Sequence, residues 1–414
     1  MKIRLFYGWI VCAMGFLLTF VTMGMVSNGL SIFLPYMLTE YDLTNSQGSS
    51  FLTLRCGFAL AAMFFIGHYY KFVGYRLGTF IAAALCGAAF LLFLFADGYP
   101  MLCLASMLLG LSYGLGSMIP VSIIMNRWFI KRRGLAIGIC SAGSSFAIII
   151  FPSIFTAIIE NTTLDTAFLF ASCFAFVISI IIFAFMRAKP SDCNLKPYGQ
   201  EEALDAQRQT ENPEENRKLN SFTLTRRQWI LLGGISISMG ALANPGFVHL
   251  PVLFTSENFK PMTIALIVTV TGIVTTVFKV VYGRAADKLG GYMSSMLFCT
   301  ILLMGYVLCC LSFTESVPLG IATAVVLGIG YPVATVGIPV WTGDFASPDN
   351  YPEVMRKLQM IYAAGAMLFA NMPGILADLT GSYITAYAIF ALMMEFGLLL
   401  LNLAYKSKAE QLPA

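Results

Sequence analysis

Apolar runs of membrane-crossing length, separated by short polar breaks, follow one another along nearly the whole chain. Twelve fall at roughly residues 6–38, 46–70, 77–96, 99–126, 134–159, 165–187, 228–254, 261–284, 292–313, 318–342, 357–379 and 382–405. A helix needs about 20 apolar residues to cross about 30 Å of hydrocarbon, and in that layer only helices and closed barrels satisfy their own backbone groups. Runs this long predict an all-α membrane protein with twelve transmembrane helices. The first run is too long and too continuous to be read as a cleaved signal peptide.

Between the sixth and seventh runs the pattern changes abruptly. A polar stretch opens at Lys189-Pro190-Ser191-Asp192, continues through Gln200-Glu201-Glu202 and Glu214-Glu215-Asn216-Arg217-Lys218, and closes at Thr225-Arg226-Arg227. This predicts a six-helix bundle over 1–187, a solvated cytoplasmic linker over 188–226 and a second six-helix bundle over 227–414. The halves repeat. At an offset of 216, Asn28 falls on Asn244, Leu34-Pro35 on Leu250-Pro251, Gly67 on Gly283 and Gly74 on Gly290; nearby, Leu109-Gly110 and Tyr113 match Leu327-Gly328 and Tyr331, and Pro120 matches Pro339. A parallel six-plus-six duplication places the expected substrate site between the halves, near the bilayer midplane.

Composition excludes a soluble globule: 11% of residues are charged and 58% hydrophobic, where soluble domains carry about 25% charged residues. Charge also sets orientation. With both termini placed in the cytoplasm, 22 of the 25 Lys and Arg lie inside, Lys260 alone lies outside, and Arg55 and Lys279 lie within spans; this is the positive-inside pattern. The net charge of +4 is thereby a topology signal, and no basic patch points to nucleic acid. The ten cysteines show no metal-ligand spacing and no paired outer position, so neither a metal nor a disulfide is expected. No Walker loop or other catalytic signature occurs, so no enzyme activity and no cofactor are expected.

The anomaly is Lys279, an ammonium inside the eighth run. A charge centrally placed in such a helix costs about 2.5 to 3.5 kcal/mol on insertion scales, so it persists where it meets other helices or a wet cavity. Thr275 and Thr271 lie above it on one face, with Thr276 and Gly272 beside them. The alternative is a stem that snorkels to the cytoplasmic headgroups. Arg55 is the other intramembrane cation, and it either binds substrate or pairs with a helix carbonyl end. Glu395 in the twelfth run suits a proton relay or a packing contact. Asn28 and Asn244 satisfy backbone freed beside Gly or Pro, or reach substrate. Tyr113 and Tyr331 either line the cavity as hydroxyl donors or fill the core.

Three stretches carry a family resemblance. Gly283-Arg284-Ala285-Ala286-Asp287-Lys288-Leu289-Gly290 resembles the loop pattern of the major facilitator superfamily, while its partner Gly67 to Gly74 has Lys71 in place of the aspartate. Tyr7-Gly8-Trp9, and Trp128-Phe129-Ile130-Lys131-Arg132-Arg133-Gly134-Leu135-Ala136 with Gly138, Ala142 and Gly143, are similar to the signature of the monocarboxylate transporters and the oxalate:formate antiporters. The resemblance implies a secondary transporter of a small organic anion, a monocarboxylate, working by alternating access as proton symport or anion exchange. It implies a monomer in the cell membrane. Those families place an arginine four residues before the loop glycine to hold the substrate carboxylate. Lys279 stands there, which keeps the charge and loses the bidentate fork. The antiporter's second cation, a lysine on the eleventh span, is matched by Ala364. The resemblance assigns closure of the cytoplasmic side to Asp287, and Arg284, Gly283, Arg132 and Arg133 complete the expected gating set. An exporter of amphiphilic or neutral compounds and a non-transporting receptor are the alternatives.

Overall fold

The computed structural model describes residues 6–43, 45–200, 202 and 224–410, and their regular structure is helical apart from one isolated bridge between Phe129 and Tyr198. Twelve helical segments are long and apolar enough to cross a membrane. The chain divides into two compact units, Met1–Gln200 and Glu201–Ala414.

The first unit holds α1 (Tyr7–Thr19), a π-helical turn (Phe20–Met25), α2 (Val26–Glu40), α3 (Asn45–Val73), α4 (Tyr75–Leu94), α5 (Tyr99–Leu115), α6 (Met118–Trp128), α7 (Arg133–Asn161) and α8 (Leu164–Phe185). The fourth span is two helices because Gly116 interrupts it, and Ser117 then caps α6 by accepting from the Ile119 amide at 3.4 Å. Without a hydrophobic drive between helices in lipid, small residues hold them together. Any Cβ at Gly110 or Gly114 of α5 would strike the Arg55 or Ala59 carbonyl of α3, and one at Gly143 of α7 would strike the Phe16 carbonyl of α1.

The chain leaving α8 does not run straight into solvent, as its composition led us to expect. Tyr198 donates its amide to the Trp128 carbonyl at 2.8 Å and accepts from the amides of Ile130 and Lys131 at 3.0 and 3.1 Å. Its ring lies against Phe6, Trp9 and Phe129. This half-buried aromatic side chain in a polar stretch docks the segment through ring contacts together with those backbone hydrogen bonds. Residues 203–223 of the linker lie outside the described residues.

The second unit holds α9 (Arg226–Ala243), α10 (Pro245–Val248), α11 (Leu250–Ser256), α12 (Pro261–Leu289), α13 (Gly291–Cys309), α14 (Val317–Gly330), α15 (Pro332–Phe345), α16 (Tyr351–Leu368), α17 (Met372–Thr380) and α18 (Ile384–Ala409). The sequence repeat has a backbone counterpart. Gly74 and Gly290 adopt φ 80°, ψ 161° and φ 83°, ψ 160°, a region closed to side chains, and each caps the next helix.

The seventh span breaks at Asn244-Pro245, where proline removes a donor. Three tyrosine hydroxyls close on the carbonyls around the break: Tyr306 donates to Leu242 at 2.7 Å, Tyr331 to Ala243 at 2.5 Å and Tyr387 to Gly246 at 2.8 Å. A carbonyl stripped of its donor in this setting costs about 1–3 kcal/mol. Tyr387→Phe is therefore expected to lower the thermal unfolding midpoint of the detergent-solubilised protein, and an unchanged midpoint would remove the clasp from the stability of this unit.

Candidate functional site

Lys279, Thr275 and Thr271 occupy successive turns of α12 and are buried, at 2%, 2% and 0% exposure. A snorkelling lysine would keep its ammonium in the headgroups and stay exposed; this one does not. The hydroxyls along the stripe differ. Thr271 returns its proton to the Ile267 carbonyl at 2.7 Å and Thr276 to the Gly272 carbonyl at 2.8 Å, the usual resort of a threonine in a helix. Thr275, one turn from Lys279, makes no such bond, and its buried Oγ1 has no hydrogen-bond partner among the described residues. A buried hydroxyl without a partner is costly and calls for an explanation, a water, an ion or a ligand among them; Ser122 and Ser312 carry the other two such hydroxyls among the described residues.

Neighbouring helices fix the stripe. Gly328 of α14 lets that helix close on α12: a Cβ there would lie 2.7 Å from the Val274 side chain and 3.1 Å from the Thr271 carbonyl. Below Lys279, Ser295 of α13 joins Tyr282 of α12 at 2.8 Å and accepts from Trp341 Nε1 of α15 at 2.8 Å, all three buried. Sequence reading missed this knot. The available signal was a tryptophan inside a span, whose N–H requires an acceptor when buried. Asp344 was missed as well. At the end of α15 its carboxylate accepts from the Tyr405 hydroxyl at 2.6 Å and lies over the N-terminus of α13 at Gly291, where any Cβ would collide with Oδ2; Lys408 Nζ donates to its carbonyl at 2.5 Å. A carboxylate there complements the helix dipole.

The other expected residues fall into separate groups. Arg55 and Tyr113 meet in the first unit, the guanidinium carbon 5.8 Å from the ring centroid. Asn244 donates Nδ2 to the Tyr362 hydroxyl at 3.3 Å beside the break that Tyr331 helps to close. Asn28 belongs to α2, but its side chain lies outside the described residues. Of the gating set, Gly283 is buried while Arg284 and Asp287 are exposed near the end of α12. Arg132, at φ 61°, precedes α7 with its guanidinium 5.7 Å from the Tyr198 ring, and Arg133 donates to Asn126 Oδ1 at 3.0 Å. Glu395 is exposed on α18.

The Major Facilitator Superfamily model matches residues 15–262 and 246–413. Monocarboxylate transporter 12 of Rattus norvegicus is 23% identical over 443 residues, covering 98% of this chain and 88% of its own length. The Xenopus laevis protein of that name is 25% identical over 420 residues, covering 96% and 88%. Among solved structures, the human organic anion transporter MFSD10 (TETRAN) superposes with a TM-score of 0.73 at 14% identity, covering 95% of this chain and 99% of that one. The proton:xylose symporter XylE superposes at 0.71 with 14% identity, covering 96% and 94%. At such identity the superpositions speak to the fold.

Proposed function

The chain belongs to the Major Facilitator Superfamily, and from that premise we propose that it carries a small organic anion, a monocarboxylate, across the cell membrane by alternating access. The observation that carries this reading is the buried ammonium of Lys279 one turn from the open hydroxyl of Thr275. An ammonium offers three donors and a single charge, enough to replace the water around one carboxylate when neighbouring polar groups complete the shell. The similarity of the whole chain to monocarboxylate transporter 12 supports the same substrate class.

The test is counterflow of labelled lactate in proteoliposomes, with and without a pH gradient. Exchange driven by internal lactate supports carriage, and dependence on the gradient separates proton symport from anion exchange. Uptake of neutral compounds alone would make the protein an exporter, and binding without counterflow a receptor.

Orientation yields a separate prediction. Asp165, near the start of α8, and Glu202, beyond α8, are both exposed, and the basic residues bias Glu202 to the inside. In sealed cells a membrane-impermeant maleimide is expected to label Asp165→Cys above the parent background and to leave Glu202→Cys unlabelled until the cells are opened. External labelling at 202 would invert the topology.

A further inference from the structure

Arg55 lies in α3 among groups that hold its guanidinium without neutralising it. Nη1 donates to Ser27 Oγ of α2 at 3.2 Å, Nη2 reaches the Cys56 sulfur at 3.5 Å, and the Tyr113 ring of α5 lies 5.8 Å from Cζ. Neither a carboxylate nor a helix carbonyl meets it among the described residues. Gly110 touches the Arg55 carbonyl and so marks the level of the Arg55 backbone on α5, and Tyr113 is about one turn further along that helix, which runs in the same direction as α3. The guanidinium lies against side chains of α2 and α5, inside a span, where a charge is retained beside a wet cavity or an anion. Cys56 is exposed, and open space surrounds the position a Cβ would take on Gly57.

The sequence repeat places Arg55 at the counterpart of Thr271, the first member of the stripe that leads to Lys279. In the second unit the Thr271 carbonyl lies against Gly328, just as the Arg55 carbonyl lies against Gly110 in the first. The two intramembrane cations, Arg55 and Lys279, thus stand at positions that are not equivalent in the repeat.

We propose that Arg55, positioned by Ser27 and Tyr113, is a carboxylate-binding site of the first unit, distinct from Lys279. Five N–H donors in a planar fork match a carboxylate, and the single hydroxyl partner at Ser27 leaves most of that fork available. The carboxylate is that of an anion separate from the one at Lys279. This inference deepens the reading of the protein as an organic-anion carrier.

The experiment measures binding and counterflow of lactate and of oxalate on the purified full-length protein, as parent, Arg55→Gln, Arg55→Lys, Ser27→Ala and Lys279→Gln. Arg55→Gln is expected to weaken at least one of the two anions about tenfold or more, with partial recovery in Arg55→Lys and a smaller loss in Ser27→Ala. A loss for oxalate, for lactate or for both supports the site and shows which anion it takes. Unchanged affinity for both anions in Arg55→Gln overturns the site. So does an equal loss in Arg55→Gln and Arg55→Lys accompanied by a lowered unfolding midpoint, which would make Arg55 structural. Lys279→Gln that binds lactate like the parent would instead defeat the Lys279 reading and leave the Arg55 comparison intact.

Discussion

Lys279→Gln is expected to abolish lactate counterflow almost completely while leaving the protein folded. Removing one partner of a buried charge pair costs about 3 to 5 kcal/mol, and about 1.4 kcal/mol is tenfold in affinity. Loss of the ammonium should therefore weaken carboxylate binding on the order of 100-fold or more. Folding should not suffer, since a neutral amide removes the cost of holding a charge at 2% exposure. Lys279→Arg is expected to retain part of the activity, because the charge survives while the wider fork must fit where an ammonium sat. Thr275→Val, which removes the open hydroxyl and keeps the shape, should weaken binding less than Lys279→Gln. Full counterflow in Lys279→Gln would exclude this residue as the anchor.

Gly365→Ala is expected to damage the second unit more than its single added methyl group would suggest. Gly240 of α9 and Gly365 of α16 face each other's helices: a Cβ on Gly240 would strike the Tyr362 carbonyl, and one on Gly365 the Ile237 carbonyl and, at 2.8 Å, its Cα. These obstacles are backbone, which does not rotate aside, so the helices must part. Overpacking typically costs about 1–3 kcal/mol, and here the loss falls on the contact that holds the two helices together in lipid. A poor yield of monodisperse protein and a lowered unfolding midpoint are expected. Gly233→Ala is the internal control, since its Cβ would meet only Ile361 Cδ1 at an ordinary 3.6 Å; it should be neutral or slightly stabilising, because alanine favours helix by about 1 kcal/mol. Equal behaviour of the two variants would mean that the glycine contact is not what joins α9 to α16.

Most of the fold was legible in the chain before any helix was placed against another. Whether a segment crosses the membrane depends on its own length and apolarity, so twelve spans could be read from the runs alone, and the repeat could be read from residues such as Gly74 and Gly290 whose backbone angles then matched. Local chemistry likewise marked Lys279 and Arg55, since a charge inside an apolar run stands out without knowledge of its surroundings. Breaks inside spans were harder to see. The first run, read as 6–38, passes through a π-helical turn at Phe20–Met25, and the seventh is interrupted at Asn244.

What the sequence by itself determined is the set of spans, their grouping and the positions of the charges within them, because those follow from the transfer of each segment into lipid. Only the tertiary structure decided which polar atoms are left open and which are consumed. Tyr331, read as a hydroxyl donor to a cavity or as core, gives its proton to Ala243. Among the described residues Thr275 remains without a partner while Thr271 and Thr276 do not. Arg55 finds Ser27 and Tyr113 rather than a helix end, and Ser295 gathers Tyr282 and Trp341 from helices on either side of it in the chain. The physical reason is that hydrogen bonds and glycine contacts form over a few ångströms between residues far apart in sequence. Their partners are set by how the helices cross, which no periodicity within a single run records.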